Sequence, residues 1–249
     1  MMPAMRHTWF APYVRRVYSA YRRIESHLRP ITPLNPIYHI RSFMPQVRPI
    51  SGRLRVLDVG GGRAPYAHLF QKEGALYVVL ESNILSVGSS SPRFVVGDAL
   101  ALPFRPASFD IVLLTEVLEH IAEPKQALVQ CARMLRPGGF VIVTAPQYWH
   151  VHGWSSDYYR YTRHGLEYLC SCAGFDVVRM VPMGGPGLLL YSVLVLNFCR
   201  FLWWPLLSVV LDTPIVLVCW ALDAVLFRRN AAGRNPDTRG WAVLASRVT

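Results

Sequence analysis

Acidic residues are nearly missing from the start of this chain. Residues 1–55 hold ten arginines and one acid, Glu25, so the formal charge of +11 is mainly a property of that segment and not of the core that follows. The core has no basic stripe and no Asn-Pro-Pro-Tyr-type motif for base flipping, which disfavours a nucleic-acid-modifying enzyme. The N-terminal segment also lacks the long apolar core of a secretory signal. It is arginine-rich and acid-poor like a mitochondrial presequence, but its many prolines argue against one. Its remaining partners are anionic lipid headgroups, nucleic acid or a targeting receptor. The five cysteines are odd in number and form no CxxC pair, as expected of reduced thiols in a cytosolic environment.

What is present is apolar: 52% of the 249 residues are hydrophobic, a high fraction for a soluble enzyme. In residues 9–28, Trp9, Tyr13, Val17, Tyr21 and Ile24 share one helical face and the arginines lie largely off it. An interfacial amphipathic helix and a helix packed on the domain fit that pattern equally. The prolines from Pro30 to Pro49 read as an extended linker, so residues 1–53 form a basic helix and connector. From residue 54 strand and helix signals alternate. Strands are expected at 54–59, 76–80, 94–96, 109–114, 140–144, 175–183 and 241–248, with helices at 65–73, 124–135 and 166–172. The last helix would be capped by Thr162. This alternation predicts an α/β fold, a Rossmann-like, doubly wound, seven-stranded sheet with ligands at the carboxyl ends of the strands.

The core is expected over residues 54–186, with its last strand within 230–249. Between them, residues 187–229 form a hydrophobic insert. Its first run, 188–211, carries only Arg200, and its second, 214–227, only Asp223. A bilayer crossing needs about 20 apolar residues, a length only the first run reaches. If strand seven joins strand six in one sheet, both ends of the insert lie on one side, which excludes a single crossing. Pro205 and the Asp212-Thr213-Pro214 break favour a bent hairpin dipping into one leaflet. A hydrophobic cap or a dimer interface is the alternative.

Four polar features fall at strand ends. Asp58 opens into Gly60-Gly61-Gly62, where glycine lets backbone N–H groups approach a ligand. Glu81 follows at a βαβ distance suited to ribose hydroxyls. Asp98 ends strand three, and Thr115-Glu116 ends strand four. Together VLDVGGGRA, VVLE, VVGDALALPF, SFDIVLLTEVLEHI and RMLRPGGFVIVTAP resemble the class I S-adenosylmethionine-dependent methyltransferases, in particular a quinone-type, small-molecule subgroup. The resemblance covers about residues 54–183 and the last strand. It implies S-adenosyl-L-methionine as cofactor, with Asp58, Gly60 and Gly62 at its amino acid end. Glu81 would take the ribose and Asp98 the adenine, with Ala99 or Leu100 beside the ring; Thr115 completes the set. The family's last loop glycine is Ala64 here.

Since the sulfonium already carries a reactive methyl, the protein's main task is alignment; an oxygen nucleophile also needs a base. Catalytic candidates are His120, His150 and Tyr158, the last in the loop HVHGWSSDYYRYT with Tyr159 and Arg160. By resemblance to some quinone-pathway enzymes, Glu116, Glu119 and His120 could hold a divalent cation. The residues favour a structural His120 and a polar His150-x-His152 loop, so no metal is assigned. The expected function is methyl transfer to a small or lipid-linked acceptor at the inner face of a membrane, by a cytoplasmic, peripheral or monotopic protein. Nucleic acid is an unlikely partner. A non-catalytic scaffold and a nucleic-acid methyltransferase are the alternatives.

Overall fold

The computed structural model describes residues 33–47, 52–71, 74–83, 93–152, 155–201, 215, 218–227 and 237–248. The expected amphipathic helix of residues 9–28 lies outside them. Strands β1 (Arg55–Val59), β2 (Leu76–Glu81), β3 (Phe94–Val96), β4 (Phe109–Thr115), β5 (Leu135–Pro146), β6 (Phe175–Pro182) and β7 (Gly240–Arg247) form one sheet in the order β3-β2-β1-β4-β5-β7-β6. The expected seven strands are all present. The alternation of strands and helices implies a parallel sheet, and one strand departs from it: β7, which follows β6 without a crossover back along the sheet, runs antiparallel to both β5 and β6. Because Pro182 pairs with Trp241, the chain leaves β6 and re-enters β7 at the same end of the sheet. That end is the one to which the parallel strands deliver their carboxyl termini.

Both faces of β1 and β4 are buried, so alternate residues feed two separate cores. Leu57, Val59, Val112 and Leu114 pack with Leu128 of α3 (Pro124–Met134) and Leu166 of α4 (Arg163–Cys172). Val56, Ile111 and Leu113 pack with Ile40 and Phe43 of α1 (Pro36–Phe43) and Phe70 of α2 (Ala67–Gln71). Thr162 caps α4 as expected, its hydroxyl accepting from Gly165 N–H at 3.1 Å.

The proline-rich connector is not extended over residues 33–47. Asn35 caps α1 by accepting from Ile37 N–H, and Pro36 sits in its first turn, where a missing N–H costs nothing. Pro45 likewise lies within a 3₁₀ turn, Met44–Gln46. Tertiary burial decides the outcome, since Ile40 and Phe43 are fully buried and each such side chain stabilises by roughly 1.5–3 kcal/mol.

After β6, helix α5 (Pro186–Phe201) opens the apolar insert. Among the described residues, no helix is long and apolar enough to cross a membrane.

Candidate functional site

The candidate donor side is built by the ends of β1 and β2. Asp58 is fully buried; Tyr77 donates to its Oδ2 at 2.5 Å, while Oδ1 has no partner. Burial pushes the Asp58 carboxyl up to about 7, opposed by the Tyr77 bond and reinforced by Glu81. Beyond it the chain turns through left-handed residues, Gly60 at φ +69° and Gly62 at φ +51°. Gly60 N–H donates to Leu80 O, and a Cβ at Gly60 would come 2.5 Å from Val117 Cγ2. A Cβ at Gly61 would run into the Asp58 carboxylate. Gly62 N–H donates to Glu81 Oε1 at 2.7 Å, tying the loop to the acid that ends β2.

Asp98 is exposed after β3 and accepts from Leu100 N–H at 2.8 Å, which shapes the turn holding Ala99. Thr115, buried at the end of β4, is hydrogen-bonded to Tyr66. The arrangement fits S-adenosyl-L-methionine on its own geometry. A buried carboxylate oxygen lacks a donor, a loop without side chains leaves room beside it, and acids end β2 and follow β3.

The acceptor side begins where β4 ends. Glu116 takes a left-handed backbone, φ 53°, uncommon for a residue with a side chain. Its N–H donates to Thr144 O, its Oε1 is buried without a partner, and its Oε2 lies 3.6 Å from Arg239 Nη2. The 3₁₀ turn Leu118–His120 then turns Glu119 wholly inward. Neither Glu119 oxygen has a hydrogen-bond partner, and burial pushes this carboxyl up to about 8, with Glu116 adding to the shift.

Two imidazoles face Glu119. His120 Nε2 and His152 Nε2 each lie 3.9 Å from Glu119 Oε1, and their rings meet edge to face at 4.7 Å. His120 Nδ1 contacts Ser156 O at 2.7 Å. A carbonyl only accepts, so that contact assigns the proton to Nδ1 and leaves Nε2 the basic nitrogen. Ligand atoms of Glu119, His120 and His152 all lie within 4.8 Å of one another, so the three could hold one metal ion. Sequence reasoning had grouped Glu116 with Glu119 and His120 and given His152 to a polar loop; the structure brings His152 to the group instead.

A second network holds that loop in place. Asp157 accepts from His152 N–H at 2.8 Å and from both Arg160 terminal nitrogens, at 2.6 and 2.7 Å. The Arg160 guanidinium holds the Asp157 carboxyl well below the usual range. Arg160 also donates to Trp149 O and His150 O. His150 itself is exposed, its ring 4.7 Å from Trp149. Tyr158 is 53% exposed and joins the site through its backbone N–H, which donates to Glu119 O. Buried Tyr161 donates to Leu118 O and so supports the turn carrying Glu119.

Arg239, at the approach to β7, stacks on Trp149 with its guanidinium carbon 4.1 Å from the ring centroid. Gly61, Arg239 and Asp157 were not singled out from the sequence. The Asp157–Arg160 spacing carried a signal, Gly61 only its place in a triplet, and Arg239 none.

Comparison with known proteins bears on the fold and family. Residues 57–143 match the family described as a methyltransferase domain. A ubiquinone biosynthesis O-methyltransferase of Paracidovorax citrulli is 34% identical over 130 residues, 47% of this chain and 53% of that protein. A demethylmenaquinone methyltransferase of Renibacterium salmoninarum is 37% identical over 94 residues, 36% of this chain and 40% of that protein. The chain thus spans about half, or less, of these two relatives. A SAM-dependent methyltransferase from Archaeoglobus fulgidus has the same fold, with a TM-score of 0.58 at 15% identity over 91% of this chain and 99% of that one. The fold and the family match place the chain with the class I S-adenosylmethionine-dependent methyltransferases. Residues 57–143 are its methyltransferase domain.

Proposed function

We propose that this protein moves the methyl group of S-adenosyl-L-methionine to a small or lipid-linked acceptor at a membrane surface. The observation that carries the reading is the juxtaposition of two unsatisfied groups, with β1 and β4 neighbours in the sheet. Asp58 Oδ1 awaits a donor beside the glycine turn, and the Glu119 carboxylate lies against two imidazoles after β4.

Asp58, the glycine turn and Glu81 would hold the donor, leaving alignment of its methyl with the acceptor as the main task. The bound sulfonium supplies an activated methyl and needs no further activation. An oxygen acceptor must lose its proton as it takes the methyl, and His120 Nε2 is the base placed to receive it, with Glu119 stabilising the imidazolium that results. Trp149, stacked on Arg239, gives the acceptor side an aromatic wall. The quinone-type chemistry named for the two relatives supports an amphiphilic acceptor. The insert supports the membrane location, because it opens from the same end of the sheet as the site.

Incubating purified protein with methyl-labelled donor and fractionated membrane extract tests this reading. Label is expected in the lipid fraction. Binding of S-adenosylhomocysteine without any labelled product would favour the scaffold reading.

A further inference from the structure

Asp223, the only charged residue in the second apolar run of the insert, binds the first run. Its Oδ2 accepts from Gly185 N–H at 2.9 Å and Leu188 N–H at 3.1 Å, and its Oδ1 accepts from Gly187 N–H at 2.8 Å. These are the orphan donors at the start of α5, and Pro186 between them has none to offer. The approach is so close that a Cβ at Gly185 or Gly187 would lie 2.8 or 2.9 Å from the Asp223 carboxylate. A residue 35–38 positions away in sequence thus caps α5 and draws the two apolar runs together at their base.

We propose that the apolar insert, folded back on itself by Asp223, enters one leaflet of an anionic bilayer and seats the carboxyl end of the sheet on that surface. This rests on the membrane reading above and deepens it by naming the surface and the device that shapes it.

Three observations support the occupant. First, the described part of the insert is apolar where it is open: Leu190, Val193, Val218, Trp220, Leu222 and Val225 are exposed by 37–75%. Water has no compensating interaction with so many large apolar groups, whereas acyl chains do. Second, the hairpin is suited to dip. Both its ends lie at one end of the sheet, and α5, with 16 residues, spans roughly 24 Å against a hydrocarbon core of about 30 Å. Leu188 and Ser192 spend part of that length inside the protein. In hydrocarbon an uncapped N–H or a lone carboxylate is costly, and the Asp223 bonds satisfy both at once.

Third, the arginine-rich N-terminal segment joins the fold at the foot of this hairpin. Leu34 O accepts from Arg239 Nη1 at 2.7 Å, and Leu34 borders Gly184 together with Leu188. The 32 residues before Pro33 hold six arginines and one acid. A basic segment covalently joined to the fold at Pro33, next to the foot of the wedge, suits anionic headgroups above acyl chains, where each arginine near the surface adds to the attraction. A second copy of this chain would present the same positive charge to itself and would be repelled.

The full chain is tested by cosedimentation with vesicles of phosphatidylglycerol and phosphatidylcholine, against phosphatidylcholine alone. S-adenosylhomocysteine binding, measured in parallel, monitors the donor site and the fold. Partitioning is expected to be at least tenfold stronger on anionic vesicles. It should fall at least tenfold in Trp220→Ser/Val225→Ser and in Asp223→Ala, with S-adenosylhomocysteine affinity unchanged; Asp223→Asn, which keeps one acceptor oxygen, should fall between. Binding of wild type to neither vesicle type, or equal binding to both, overturns the proposal. Anionic binding that survives both the double variant and Asp223→Ala leaves the membrane reading standing and overturns the hairpin. Light scattering that shows a dimer broken by Trp220→Ser/Val225→Ser, with no vesicle binding, would assign the face to a second copy and also overturn it.

Discussion

The proposed donor side and acceptor side of the candidate site end on neighbouring strands, yet they are made differently. On the donor side the work is done by backbone: a left-handed turn, three glycines, and N–H groups directed at Leu80 and Glu81. All of it comes from one stretch, Asp58–Gly62, and the strand paired with it. On the acceptor side the work is done by side chains from remote segments, with Glu119 facing His152, Asp157 holding Arg160, and Arg239 between Glu116 and Trp149. A backbone site tolerates almost no change in shape but does not depend on which acceptor is used. A side-chain site can be rebuilt residue by residue. A shared donor motif can therefore sit beside a different acceptor site.

The largest expected effect tests the acceptor half. Glu119→Gln removes an unpartnered buried carboxylate and keeps its volume. Methyl transfer should fall by about 10²–10⁴-fold, because the His120 base loses the carboxylate that stabilises its imidazolium. Stability in urea at neutral pH should not fall and should rise by about 1–3 kcal/mol, since Glu119, raised to about 8, must take up a proton to fold and glutamine need not. Unchanged turnover would place the acceptor chemistry elsewhere, and lost stability would mean that Glu119 has a partner in solution.

Gly61→Ala tests the donor half. Its methyl group collides with the Asp58 carboxylate, which is confined by Tyr77. Overpacking of this kind costs about 3 kcal/mol, so S-adenosylhomocysteine should bind on the order of 100-fold more weakly by calorimetry. A variant that binds normally would show that the loop opens on binding, and the rigidity contrast would then be wrong.

Much of the donor half was legible in the sequence because its signals are local. The triplet of glycines after an apolar run needs no distant partner to be recognised, and Glu81 and Asp98 follow at the spacing the fold imposes. The acceptor half was read as residue types without pairings. His120 and the tyrosine-rich loop were visible, but that His152, and not Glu116, faces Glu119 depends on how the loop after β5 is clamped by Asp157 and Arg160. The connector before β1 failed for a related reason. Its prolines suggested extension, and only the burial of Ile40 and Phe43 against the sheet makes residues 36–43 a helix. The insert shows the same limit, since Asp223 looked like a lone charge until it met the start of α5.

Donor binding should also depend on pH, because Asp58 lies where its charge is costly. Its carboxyl, raised to about 7, is partly neutral in the ligand-free protein near pH 7. A raised folded-state value means that this group's contribution to stability is complete below its ordinary value and is lost as pH rises through about 7. A cationic ammonium at Oδ1 favours the ionised form, so affinity should climb with pH, by at most about tenfold per unit below 7, and level off above it. Asp58→Asn should flatten the profile. A flat profile in wild type would separate the ammonium from Asp58.

The smallest effect concerns Ala64, which stands where the family pattern has its last glycine. Its backbone is left-handed, φ 55°, and its N–H donates to Gly61 O at 2.8 Å, closing the donor turn. A residue with a Cβ is strained there by roughly 1–2 kcal/mol. Replacement by glycine relieves that strain, but the unfolded chain gains freedom worth about 0.4–1 kcal/mol, which offsets much of it. Ala64→Gly should therefore raise stability in urea by only about 0.5 kcal/mol and leave S-adenosylhomocysteine affinity within about twofold. A loss of stability would mean that the turn is held by contacts of the alanine methyl and not by its backbone bonds. The donor half would then depend on side-chain packing as the acceptor half does.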